Sequence, residues 1–205
     1  VIYAEGEESR VLQAVQQVIE EGIATPILVG RPEVIESRLA ELSIDLKAGK
    51  DFEVINPIYD ERFYEYWNYY HELMGRKGVS PTQAKNIVRT QSTVIASLFV
   101  KKGEADAMIC GTVGLFATHF RHITNIIGKE EGVKDFSTVT ALVLPSGTFF
   151  VCDTHVSPDP DAEEIVDMTM LAAEMVTRFG IKPRIALLSH SNFGSRDSES
   201  AVKMR

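Results

Sequence analysis

A short apolar run, Ala107 to Cys110, passes through Gly111 and Gly114 into a stretch where Phe116, Phe120, Ile123 and Ile127 recur at offsets of four, three and four. That order predicts a buried parallel strand, a turn and an amphipathic helix, and it constrains the chain more than any other part of it. A strand apolar throughout needs cover on both faces, which helices of an α/β layer supply. Thr118, Arg121 and Asn125 share a second face of the helix. Open α/β sheets bind ligands beyond the carboxyl ends of their strands, where the free N–H groups of a following helix attract phosphate or carboxylate. On that reading Arg121 clamps an anion with its planar fork. The same residues also fit an ordinary strand, turn and helix with a solvated arginine, and the stretch alone does not choose.

The rest of the chain supplies the layer. Val1 to Ala4 is β-prone, and a helix with Val11, Leu12, Val15, Val18 and Ile19 on one face follows, closing at Gly22. Thr25 to Gly30 reads as a second strand, which makes a βαβ unit with a right-handed crossover. Pro32 opens a helix carrying Val34, Ile35, Leu39 and Leu42, and Asp51 to Ile55 is a third strand. Glu61 to Gly78 holds six aromatics, too many for one buried face, so some rings are expected in a core and others against a neighbouring segment. Arg76 and Lys77 complement that helix's negative end or meet a phosphate. Ser80-Pro81-Thr82-Gln83 is a capping box, expected to open one helix through Val94, Ile95 and Leu98 to Gly103.

After Gly128 the pattern changes. Ser137 to Leu144 and Thr148 to Asp153, joined by Pro145-Ser146-Gly147, predict an antiparallel hairpin. The expected division is therefore a first α/β lobe over residues 1–133 and a second beginning at 134–205. Asp161 caps a helix with Ile165, Met168, Leu171, Ala172 and Met175 inside, and Ile185 to Leu188 is expected to be a buried strand running into the hydroxyl-rich loop Ser189 to Ser195.

Composition narrows the classes of function. Net charge of −8 disfavours a sequence-independent grip on nucleic acid, and no apolar run approaches the ~20 residues of a spanning helix, so a cytoplasmic protein without a membrane partner is expected. Cys110 and Cys152 sit in apolar runs and read as reduced, buried thiols. Of the five histidines only His119 and His122 are spaced as a pair, without an acidic or thiol partner nearby in sequence, so solvated or capping roles and no metal are expected. A dinucleotide site lacks its glycine fingerprint and following acidic residue.

The block GTVGLFATHFRHITNIIG, the hairpin ending Phe150-Val151-Cys152-Asp153, the Pro158 to Glu164 turn and LSHSNFGS together resemble the phosphate acetyl/butyryltransferase family. YAEGEESRVLQAV, NPIYDERFYEYWNYYHELMGRKGVSP and ALLSHSNFGS are similar, more closely, to the phosphotransacetylase-like carboxyl-terminal domain of bacterial hybrid NADP-dependent malic enzymes. The resemblance implies a two-lobed, three-layer α/β/α fold with mainly parallel sheets, as in isocitrate and isopropylmalate dehydrogenases. It also implies a first lobe completed by chain beyond residue 205, which should leave an apolar face open or covered by a partner. It further implies homodimers or higher homo-oligomers, acetyl-CoA bound between the lobes as an effector, and NADP and a divalent metal in a separate malic enzyme part, with no cofactor in this piece.

Carried over residue by residue, the effector-binding candidates are Gly111, Thr112, Arg121, Ser189, Ser191, Asn192, Gly194 and Ser195. Leu115 and Phe116 stand where the transferases have small polar residues, His122 replaces a proline, Asn192 and Phe193 replace a threonine and a lysine, and Met74-Gly75 replaces an arginine-lysine pair. The family's catalytic serine-arginine pair and nearby aspartate fall in a segment this sequence does not contain. A regulatory acetyl-CoA-binding domain is therefore the leading expectation, with no catalytic residue in this piece. A working phosphate acetyl/butyryltransferase is the alternative.

Overall fold

The computed structural model describes residues 1–205 apart from the side chain of Phe193, and it divides into two compact units, Val1–Gly128 and Lys129–Arg205. The division expected at 133/134 falls in the charged segment that opens the second unit.

The first unit is a parallel sheet of four short strands, β1 (Ile2–Tyr3), β2 (Ile27–Val29), β3 (Glu53–Ile55) and β4 (Met108–Ile109), in the order β3-β2-β1-β4. β1 is central, pairing Ile2 with Ile27 on one side and with Met108 on the other. Parallel neighbours cannot be joined by a tight turn, so each connection carries a helix. α1 (Ser9–Glu20) buries Val11, Leu12 and Val15, and α2 (Pro32–Glu41) buries Ile35 and Leu39, with proline in its first turn. Gly6 lets the chain leave β1 beside β2: a Cβ there would stand 2.8 Å from Leu28 Cβ and 2.9 Å from the Val29 carbonyl oxygen.

α3 (Phe63–Met74) divides its rings as expected. Tyr66, Trp67 and Tyr70 are buried, whereas Tyr64 is exposed and edge-on to Trp67. Lys85 and Arg89 of the following helix lie over the Trp67 and Phe63 rings. The Ser80–Gln83 capping box is complete, but the helix it opens stops early. α4 (Pro81–Thr90) ends at Gln91, whose extended backbone (φ −115°, ψ 95°) starts a separate helix, α5 (Ser92–Lys102). The two have different burial requirements. α4 is amphipathic, while α5 is buried on every side from Thr93 to Phe99 and must turn into the core.

Two further expectations are corrected here. β4 is the sheet's edge, and Ile109 is about half exposed rather than buried. α6 (Phe116–Ile126) buries His122 and Ile126, one position round from the Phe116–Phe120–Ile123–Ile127 stripe; Phe116 is 48% exposed and stacks on Phe120.

The second unit pairs β5 (Val139–Leu144) with β6 (Gly147–Cys152) across a two-residue turn, Gly147 taking φ +136°. α7 (Ala162–Arg178), with a complete Asp161–Glu164 capping box, buries Ile165, Met168 and Val176, so its stripe continues to Val176 and leaves Met175 outside. Asp153 receives the Val156 and Ser157 amides at 3.0 and 2.6 Å and the Thr138 amide at 3.0 Å. Burial pushes its carboxyl up, but these bonds and the Thr138 hydroxyl outweigh it and hold the group well below the usual carboxylate range.

Ile185 to Leu188 is not a buried strand. Among the described residues it pairs with no neighbour, and Ile185, Leu187 and Leu188 are all more than half exposed. It lines a cavity of about 430 Å³ with Phe149 and Cys152 of β6 and Ala172 and Val176 of α7. A short α8 (Glu199–Lys203) closes the unit. Cys110 and Cys152 are free and half-buried; burial raises both thiols, Cys110 to about 11 with the nearby Glu5 charge adding to the effect.

Candidate functional site

The carboxyl ends of β1, β2, β3 and β4 open onto a cavity of about 410 Å³ within the first unit, lined among others by Glu5, Arg31, Asn56, Arg89, Ser92 and Val113. Arg31 grips Glu7 with two bonds, at 2.9 and 2.7 Å, and takes the same carboxylate onto its backbone amide at 2.8 Å. That guanidinium holds the Glu7 carboxyl below its ordinary range.

On the other wall, the turn between β4 and α6 carries Gly111 at φ +100° and Gly114 at φ +104°, values that favour glycine. It is pinned from both sides. The Gly111 amide donates to Glu5 Oε1 at 3.1 Å, and the Glu5 side chain is only 9% exposed. His119 Nε2 lies 2.8 Å from the Val113 carbonyl oxygen. A carbonyl accepts only, so Nε2 carries the proton, and in the neutral ring Nδ1 accepts from the Thr93 hydroxyl at 2.7 Å. A Cβ on Gly114 would come within 2.9 Å of His119 Nε2. Glu5 Oε1 stands 3.8 Å from His119 Nδ1. His119 is thus a structural clamp rather than a solvated side chain, and His122 beside it is buried. Burial lowers the His122 pKa, and the neighbouring Arg121 charge lowers it further.

The helix beyond this turn begins without a side-chain cap. Leu115, at its N-cap, is 74% exposed, and the amides of Thr112, Val113, Gly114 and Leu115 make no hydrogen bond among the described residues. Arg121 lies exposed on α6, close enough to Tyr70 for their charges to interact. One turn on, Asn125 Oδ1 accepts from Lys77 Nζ at 3.0 Å. Arg121 does not line the carboxyl-edge cavity.

The other candidates belong to the second unit. The Ser191 amide donates to Ser189 Oγ at 3.1 Å, and the Arg196 amide donates to Ser191 Oγ at 3.0 Å, so both hydroxyls brace their own loop. Asn192–Gly194 forms a single 3-10 turn closed by the Ser195 amide on the Asn192 carbonyl. Gly194 has φ +70° and accepts from Arg205 at 3.4 Å. Among the described residues, no three of His, Cys, Asp and Glu gather as metal ligands would, and no helix is long and apolar enough to cross a membrane.

Sequence reasoning missed Glu5 and Thr93, and named His119 without its role in holding the turn. Glu5 was within its reach: it directly follows β1, where the carboxyl-end rule places ligand-facing groups. Its partner amide lies 106 residues on, and only the sheet order brings the two together.

A strand-turn-helix of this kind at the edge of a parallel sheet suits many ligands, and comparison with known proteins narrows the choice. The model of one family, described as phosphate acetyl/butaryl transferase, matches residues 1–205. The chain belongs to that family. The NAD-dependent malic enzyme of Rhizobium meliloti (strain 1021) is 54% identical over 205 residues, and the NADP-dependent malic enzyme of Escherichia coli (strain K12) is 52% identical over the same length. In both cases the match covers 100% of this chain and 27% of the relative. One relative uses NAD and the other NADP, so likeness to this chain does not fix the nicotinamide. Among solved structures, a phosphotransacetylase from Streptococcus pyogenes superposes with TM-score 0.86 at 26% identity, over 100% of this chain and 63% of that one. The α/β architecture with a mainly parallel sheet is therefore that of a phosphotransacetylase-like domain, as the family resemblance implied.

Proposed function

We propose that this chain is the phosphotransacetylase-like regulatory part of a malic enzyme. Acetyl-CoA or a related CoA thioester binds it as an effector and alters malate turnover by the parent protein, without acyl transfer. The observation that carries this reading is the Glu5 carboxylate on the Gly111 amide, beside a helix start lined by Leu115 and Phe116. Transfer to or from phosphate needs fixed positive charge where the phosphate sits, because developing charge must meet preorganised groups. The Gly111 turn instead carries a negative charge and apolar side chains. A CoA thioester brings its own phosphates and needs only cations that reach them. Arg121 supplies one, contributing roughly 1.5 to 3 kcal/mol per charged hydrogen bond. Gly111 and Thr112 offer backbone at the turn that opens the same helix. The parent, a homo-oligomer in this reading, oxidatively decarboxylates malate to pyruvate with a nicotinamide, NADP being the expectation, and a divalent metal held elsewhere. An effector shifts a conformational equilibrium only by its differential affinity for the two states, so thioester affinity and malate rate must change together.

The test is calorimetric titration of acetyl-CoA into the full-length parent and its Arg121→Glu variant, with malate oxidation and acetyl phosphate formation measured on the same preparations. The variant is expected to bind at least tenfold more weakly and to lose the change in malate rate. Unchanged affinity removes Arg121 from the site. CoA-dependent acetyl phosphate formation by the wild type establishes the alternative, a phosphate acetyl/butyryltransferase, which family membership favours.

A further inference from the structure

The turn from Gly111 to Leu115 has nothing of its own to hold it. All of its residues are exposed, Gly111 and Gly114 take positive φ, and none of its side chains makes a hydrogen bond among the described residues. What fixes it comes from other elements. Glu5 takes the Gly111 amide at 3.1 Å, and His119, inside α6, donates from Nε2 to the Val113 carbonyl at 2.8 Å. The His119 ring is fixed in its turn. Its Nδ1 accepts from the Thr93 hydroxyl of α5 at 2.7 Å, Thr93 is only 4% exposed, and the ring stands 2.9 Å from where a Gly114 Cβ would be. The Thr93 carbonyl accepts from the fully buried Ser97 Oγ at 2.7 Å, so these contacts are anchored in the core helix.

We propose that His119 is a positioning residue: without meeting the ligand itself, it holds the Gly111–Gly114 turn in the shape that receives the thioester, and Thr93 orients its ring. This rests on the regulatory reading and deepens it by naming what prepares the turn. A turn free to change shape binds only during the fraction of time it spends in the receptive form, and the apparent dissociation constant rises by the inverse of that fraction. Lowering the fraction to about a tenth weakens binding about tenfold, with every group that meets the ligand still in place. The demand on position 119 is specific, one donor and one acceptor on a single planar group. A glutamine amide offers that pair at a similar separation. Leucine fills the space and offers neither.

The experiment compares wild type, His119→Leu, His119→Gln and Thr93→Val in the full-length parent. Acetyl-CoA affinity is measured by calorimetry, and the order of the turn by the rate of chymotryptic cleavage after Leu115 or Phe116, which tracks the population of the opened turn. His119→Leu should bind about tenfold more weakly and be cut there about tenfold faster, with Thr93→Val between it and the wild type. His119→Gln should restore both. A merely structural role predicts faster cleavage throughout the chain with affinity unchanged in the folded protein, and that result overturns the proposal, as does a folded His119→Gln that behaves like His119→Leu. Should His119→Leu fail to fold, Thr93→Val against the wild type carries the same test. A wild type that binds no acetyl-CoA overturns the regulatory reading and the thioester half of this proposal with it. Cleavage after Leu115 and Phe116 that is equal in all four proteins overturns the half that ties His119 to the turn, so the two failures are told apart.

Discussion

Residues 1–128 cover their sheet so fully that Leu12, Leu28, Ile35, Val88 and Leu98 have no exposed surface, whereas residues 129–205 lay one long helix on a hairpin and leave Val143, Phe149, Ile185 and Leu188 more than half open. The second segment is only slightly poorer in apolar residues, 32 of 77 against 59 of 128. The contrast follows from how strands are connected: a parallel pair cannot form without a crossover, and the crossover helix covers the sheet it serves, whereas a hairpin closes through two residues and brings no cover with it. Burial in the first unit comes with its connectivity. In the second it would have to come from elsewhere.

The largest expected effect tests this contrast directly. Leu98→Ala, in the middle of α5, should destabilise the first unit by about 2 to 5 kcal/mol, whereas Phe149→Ala on the hairpin should change stability by less than about 0.5 kcal/mol. Trp67, the sole tryptophan and part of the first core, reports the first unit in urea titrations, and hydrogen exchange of β5 and β6 reports the second. A Phe149→Ala cost matching that of Leu98→Ala would mean the hairpin face is covered after all.

Next in size is Gly114→Ala, which asks for a positive φ and a 2.9 Å approach to His119, and should cost roughly 1 to 3 kcal/mol in thermal unfolding. The two capping boxes form a matched pair across the units. Ser80→Ala and Asp161→Ala should each cost about 1 kcal/mol, and a much larger loss for Asp161→Ala in hydrogen exchange would show that α7 alone holds its unit together.

The smallest change concerns pH. His122 has a folded pKa below its ordinary 6.5, so the unfolded chain takes up protons first as pH falls. Its contribution is complete above about pH 6.5 and is lost as pH drops through the folded value. Melting temperature, read from Trp67 fluorescence, should fall between pH 6.5 and 5.5 less steeply in His122→Leu than in the wild type; parallel slopes would rule His122 out as the source.

Local chemistry wrote much of this fold legibly. Pro32, the Ser80–Gln83 box, the Pro145–Ser146–Gly147 turn and Gly22, Gly78 and Gly103 punctuate the sequence where the elements begin and end. What stayed hidden depends on neighbours. No glycine or proline marks the break at Gln91, which follows from the all-round burial of α5. The half-exposed Ile109 follows from β4 lying at an edge, and the turn of α6 toward His122 follows from the α5 surface it packs on. Ile185 to Leu188 has strand composition, yet a strand exists only with a partner. At the site, the glycines and Arg121 stood out by type, whereas Glu5 is one acid among several near the amino terminus until the sheet order places it against Gly111.

The position of β1 between β2 and β4 has a consequence for synthesis. Ile2 meets Ile27 early, but its other partner, Met108, is more than a hundred residues away. At about 5 to 20 residues per second, roughly 5 to 20 s pass before a ribosome delivers it. Through that interval the strand between β2 and β4 is an open edge on the nascent chain, and α5, which is buried on every side in the first unit, emerges just ahead of β4. The newborn chain is thus most adhesive in the few seconds before Met108 arrives, and pauses in translation there would matter more than anywhere else in the first unit.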